Sequence, residues 1–356
     1  MRHTVRRTLL VMMLGLSAGA LPLTGLAEAR PAAQATASVR IIDTAAVQAA
    51  IARGALLWDV RSAEDYRKGH IPGAVNIGDI SRTLRREVDE DFIPLEQMAR
   101  LLGSVGLDPA REIVIYGDKG SAVPYFGLYT IEYLNGRRAS VYHGGIDDWK
   151  AAGLALSTQP PQPTPVNLNL SVNPQVAVST DYVLAALKRP DVQIVDVRTL
   201  PEFKGEDVRA LRGGHIPGAL NIPYEQNWVD PDTPSKLTRR QVNSKDGMAL
   251  KPAGKLRELY ARLDPNKETI VYCQSGVRAA QTAGVLKELG FTNVKVYDGS
   301  WLAYGNTLDA PAENLSFFNV GAMQARMTAL QRRLETLERA LAEVQARAPA
   351  PSAAQP

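Results

Sequence analysis

The chain contains one cysteine, Cys273, which opens the run Cys273-Gln274-Ser275-Gly276-Val277-Arg278. The thiolate is the nucleophilic form of a cysteine, and cations or a helix amino terminus favour it. Both are implied by the flanking residues. Glu268-Thr269-Ile270-Val271-Tyr272 is a β-branched run that predicts a short buried strand. Ala279 to Leu289 predicts a helix ended by Gly290. The thiol therefore falls at a strand-to-helix turn, where backbone amides and the helix dipole favour negative charge. Gly276 suits a cramped turn that needs positive φ. Arg278 has two readings, a ligand for an anion or a loop anchor held in an ion pair.

Two other kinds of chemistry find no support. A single cysteine forms no internal disulfide, so the thiol is either buried and inert or used in chemistry. The four histidines, His3, His70, His143 and His215, are scattered, and neither a metal-ligand cluster nor a cofactor is indicated.

The elements that must position this loop occur twice. Leu56-Leu57-Trp58-Asp59-Val60-Arg61 returns as Gln193-Ile194-Val195-Asp196-Val197-Arg198, and Gly69-His70-Ile71-Pro72-Gly73-Ala74 returns as Gly214-His215-Ile216-Pro217-Gly218-Ala219. Glu112-Ile113-Val114-Ile115-Tyr116 matches Glu268 to Tyr272, and each copy closes alike, Tyr142-His143-Gly144-Gly145 against Tyr297-Asp298-Gly299-Ser300. Such a repeat sets the organisation of the chain. Strands near Val114 and Val141 flank a predicted helix from Tyr125 to Leu134, and strands near Val271 and Val296 flank one from Ala280 to Leu289. That alternation predicts an α/β unit with a mostly parallel sheet flanked by helices. The copies span 39–156 and 175–310, joined by a proline-rich linker at 157–174. Aligning Tyr116 with Tyr272 sets Gly117 against Cys273, Gly120 against Gly276 and Ala122 against Arg278. The first copy thus lacks both thiol and arginine, so the scaffold does not require them.

The Asp-Val-Arg strand, the paired His-Ile-Pro-Gly-Ala turns and the Cys-x-x-Gly-x-Arg loop resemble the rhodanese family. Over roughly residues 39 to 310 the arrangement is similar to its tandem form, with two rhodanese-like domains, the first inactive and the second catalytic. The resemblance implies sulfur transfer: Cys273 takes a sulfane sulfur from thiosulfate or a similar small anionic donor, and the persulfide passes it to cyanide or a thiol. It also implies that the loop from Gln274 to Arg278 binds the substrate. The insertion between Asp196 and His215 supplies donor-binding arginines in some tandem relatives, which marks Arg209 and Arg212. His70, His215 and the recurring Asp-Val-Arg pairs are expected to hold the fold, and His143 to be exposed. Gln274 and Ser275 stand where that family often has basic residues, and Glu202 where some members have an arginine. Three alternatives stay open: a 3-mercaptopyruvate sulfurtransferase, a non-enzymatic persulfide carrier or docking module for a protein partner, and a phosphatase or arsenate reductase. The last use a Cys-x5-Arg loop, whereas only four residues separate Cys273 from Arg278 here.

Two segments lie outside the repeat. Arg2, Arg6 and Arg7 precede an apolar run from Leu9 to Leu16 and a small-residue site at Ala27-Glu28-Ala29, the pattern of a signal peptide over residues 1–29. It predicts a periplasmic or secreted protein. Cleavage there removes three arginines and one glutamate, taking the formal charge from +4 to +2 and giving no case for a nucleic-acid partner. At the other end Val320, Met323, Met327, Leu330, Leu334, Leu337, Leu341 and Val344 recur in steps of three and four. Over 320–347 this predicts a C-terminal helix with the seam of a coiled coil, and with it a homo-oligomer.

Overall fold

A computed structural model describes residues 40–347, so the signal-peptide reading lies outside the described residues. The strands are β1 (Ile41–Ile42), β2 (Leu56–Asp59), β3 (Val75–Asn76), β4 (Ile113–Tyr116), β5 (Ala139–Tyr142), β6 (Ala177–Val178), β7 (Val192–Asp196), β8 (Arg212–His215), β9 (Leu220–Asn221), β10 (Glu268–Tyr272), β11 (Val294–Tyr297) and β12 (Glu313–Phe317). Ten of them form two five-stranded sheets of like topology, β1-β5-β4-β2-β3 and β6-β11-β10-β7-β9, with every pair in these sheets parallel. The central strands β4 and β10 are buried along their whole length, as expected of parallel strands covered on both faces. Crossover helices supply that cover.

The two halves share one core. Helix Val123–Tyr133 packs on helix Val277–Glu288, and Tyr125, Leu128, Ala280 and Ala283 belong to one buried cluster with Val271. At Gly284 an added Cβ would come within 2.9 Å of the Tyr125 ring, so the glycine permits this close approach.

Contacts across the interface are reciprocal. After β3 the first domain sends Arg85 to the second domain's closing turn, where it pairs with Asp298. After β9 the second domain sends the turn Asp246–Met248 back to the first domain's closing turn. There His143 Nε2 donates to the Met248 carbonyl at 2.9 Å and Nδ1 meets the Tyr125 hydroxyl at 2.9 Å. His143 is therefore buried rather than exposed, because its turn faces the neighbouring domain, and burial lowers its pKa to about 4.

The proline-rich segment carries no helix or long strand, and it is strapped to the first domain. Ser157 exchanges backbone hydrogen bonds with His70, Val166 N–H donates to Gly103 O at 2.9 Å, and Asn173 N–H to Tyr133 O at 2.7 Å. Beyond the second sheet, β12 pairs antiparallel with β8. Helix Val320–Arg347 follows, over the residues whose heptads predicted it.

Candidate active site

Cys273 follows the last residue of β10 and is buried. Its loop turns through Gly276 at φ 85° into helix Val277–Glu288, a conformation in which an L side chain is strained. There is also no room for one: a Cβ on Gly276 would lie 2.3 Å from Asp298 Oδ1 and 3.0 Å from Arg85. The loop is pinned from below by Ser300. Its Oγ accepts from Cys273 N–H at 3.1 Å and Gly276 N–H at 3.0 Å, and donates to Tyr297 O at 2.7 Å. Ser300 itself sits at φ 49°, a strained region for a non-glycine residue. With these two amides held by a hydroxyl, those of Gln274, Ser275, Val277 and Arg278 find no protein acceptor among the described residues. Amides left open at a helix amino terminus can donate to an anion.

Arg278 is committed to a carboxylate. Its two terminal nitrogens reach Glu202 at 2.7 and 2.8 Å. Burial would raise Glu202, but the Arg278 guanidinium and the Thr199 donors overcome it and hold the carboxyl at about 2. Arg278 in turn stays above the ordinary arginine value, because this carboxylate outweighs the effect of burial. The pair is a bidentate anchor for the loop. Tyr224 backs it, its ring 5.9 Å from the guanidinium.

The remaining candidates separate clearly. Arg209 is exposed, touches Glu202 at 3.2 Å, and receives Gln274 Nε2 on its carbonyl at 2.7 Å. Ser275 and Val277 line a cleft of about 470 Å³ with the first domain's Ser81, Arg82, Arg85, Arg86, Glu87 and Glu90. Arg212 is not at the site. It is buried in β8 and its guanidinium is used up on the carbonyls of Tyr304, Gly305, Thr307, Leu308 and Ala310. The insertion thus contributes one arginine to the site and one to the fold.

The first copy shows how the same scaffold closes without the cysteine. A Cβ at Gly117 would meet Pro124 at 3.1 Å, and Gly145 replaces Ser300 at nearly the same backbone angle, φ 54°. The recurring residues are structural in both copies. Arg61 and Arg198 pair with Asp59 and Asp196 at 2.6 Å, and Ile71 and Ile216 N–H donate to the Tyr116 and Tyr272 hydroxyls. His70 stacks on Tyr66 and His215 on Phe203, each with Nδ1 on a backbone carbonyl. Ser300, Arg85 and Asp298 escaped the sequence reading. Ser300 had a signal, since Gly145 aligns with it as Gly117 aligns with Cys273. Arg85 had none, because its partner lies in the other domain.

Known proteins share this architecture. The sequence model of the rhodanese-like domain matches residues 43–152 and 179–307. Thiosulfate sulfurtransferase of Azotobacter vinelandii is 34% identical over 276 residues, 77% of this chain and 96% of that protein. The sulfur carrier protein TtuD of Thermus thermophilus is 33% identical over 261 residues, 69% of this chain and 86% of that protein. Among solved structures, the anaerobic ergothioneine biosynthesis enzyme of Chlorobium limicola superposes with a TM-score of 0.64 at 21% identity, covering 77% of this chain and 70% of its own. At that identity the likeness is one of fold.

Proposed function

Because the chain belongs to the rhodanese family, we propose that it moves a sulfane sulfur from thiosulfate or a similar anionic donor to cyanide or a thiol through a persulfide on Cys273. The observation that carries this reading is the contrast between the copies. Where the first has Gly117 and Gly145, the second has Cys273 and a strained Ser300 that holds the cysteine's loop.

In the first step the Cys273 thiolate attacks the outer sulfur of thiosulfate. A new S–S bond forms on the protein, the donor's S–S bond breaks, and its electron pair leaves with sulfite. In the second step the acceptor attacks the outer persulfide sulfur and the Cys273 thiolate departs. Negative charge sits on sulfur throughout, and the free loop amides and the helix amino terminus stabilise it. With Arg278 paired to Glu202, the exposed guanidinium of Arg209, at the edge of the same carboxylate, is the insertion's cation that draws in the donor, beside Arg82 and Arg86 of the facing domain. Thiocyanate formation at varied thiosulfate and cyanide should give the parallel double-reciprocal lines of a two-step transfer, and Cys273→Ala should give none. Intersecting lines, or turnover in Cys273→Ala, would refute the covalent route.

The Thermus relative favours a second reading, in which the persulfide is handed to one protein partner. It predicts a stable persulfide with slow turnover on free acceptors. We also propose export, on the strength of the basic start, the apolar run and Ala27-Glu28-Ala29. A mature protein beginning near Arg30 in a non-cytoplasmic fraction is expected; an intact amino terminus in the cytoplasm would contradict it.

A further inference from the structure

We propose that helix Val320–Arg347 pairs in parallel and in register with the same helix of a second copy of this chain. The helix runs 28 residues, about 42 Å at 1.5 Å per residue. Its a positions, Val320 to Leu341, and d positions, Met323 to Val344, hold only Val, Met or Leu through four heptads. Among the described residues none covers these side chains, which are between 48% and 66% exposed. A strict a/d stripe is the seam of a coiled coil, narrower than the face that an amphipathic helix turns to its own domain or to lipid.

The charges beside the seam select the partner and its direction. Arg333 falls at g and Glu338 at e of the next heptad. In a parallel, in-register pair each Arg333 faces Glu338 of the other helix, twice per dimer. An antiparallel pair would instead set Arg333 against Arg333 at its centre. The apolar surface also continues past the helix start. Phe317 at the end of β12 is 67% exposed and Leu315 is 50% exposed, and only Phe318 and Asn319 separate the strand from the helix. Asn319 caps the helix, its Oδ1 accepting from Ala322 N–H at 2.9 Å. The helix is therefore tied closely to the body, and a second copy would carry its catalytic domains at the same end of the coil.

Light scattering on the purified protein at micromolar concentration should give twice the chain mass, and Leu330→Glu with Leu337→Glu should halve it. Those residues touch nothing in the body, so sulfurtransferase activity should be unchanged. Orientation is read by Leu341→Cys in a Cys273→Ala background, where the introduced thiol is the chain's only one. Mild oxidation should link two chains completely through that position. A wild-type monomer, a larger assembly, or a dimer that fails to cross-link would overturn the proposal.

Discussion

Cys273 carries the sulfur of the proposed reaction, but Ser300 is the residue that most clearly spends stability on the site. A left-handed conformation costs a non-glycine residue roughly 1–2 kcal/mol, and the first copy avoids it with Gly145. The hydroxyl offsets this strain by holding two loop amides. Removing it while keeping the strain, in Ser300→Ala, should destabilise the protein by about 1–3 kcal/mol through the orphaned amides and lower kcat by an order of magnitude or more. Ser300→Gly should regain most of the stability in urea unfolding while staying equally slow. Equal stability of the two variants would mean that the strain is not real. For Arg209 the proposed role lies on the binding side. Arg209→Ala should raise KM for thiosulfate several-fold and leave kcat nearly unchanged, whereas a matching fall in kcat would place it in the reaction itself.

At the level of elements, the site is the joint between β10 and helix Val277–Glu288, and the joint depends on Gly276. Gly276→Ala should cost at least about 1–2 kcal/mol from its backbone angle alone. Its Cβ also collides with Asp298 and Arg85. The expected outcome is a lower urea midpoint together with lost activity; an active variant of unchanged stability would contradict the account. The same logic predicts that Gly117→Cys cannot rescue Cys273→Ala, because Pro124 crowds the position and Gly145 offers no hydroxyl. Much of this joint was legible in the sequence. The β-branched runs, the glycine and the repeat point to the strand, the turn and the place of Cys273 between them, since each depends on neighbours along the chain. What stayed hidden depends on residues far apart. Local sequence leaves Arg278 two roles, and its partner Glu202, 76 positions away, decides between them. Arg212 looked like Arg209's companion, yet pairing of β8 with β12 turns it inward.

The whole molecule is two like domains that reach into each other's closing turns, and both contacts titrate, in opposite senses: burial lowers His143 and raises Asp298, to about 6. Burial holds His143 neutral down to about pH 4, against an ordinary value near 6.5. A depressed folded-state pKa means that the unfolded chain binds the extra proton first. Stability from this group is thus intact above about pH 6.5 and is lost as pH falls through about 4. Because Asp298 gains stability over the same range, the test is a difference: the thermal stability of wild type relative to His143→Gln should fall between about pH 6.5 and 4, and a difference that does not change with pH would contradict the assignment. The central claim, that the second domain forms a persulfide on its one thiol, has a direct test in the intact mass of the protein after thiosulfate. The account predicts a gain of one sulfur atom, reversed by cyanide and absent in Cys273→Ala. No gain with any sulfane donor, or the same gain in Cys273→Ala, would contradict it.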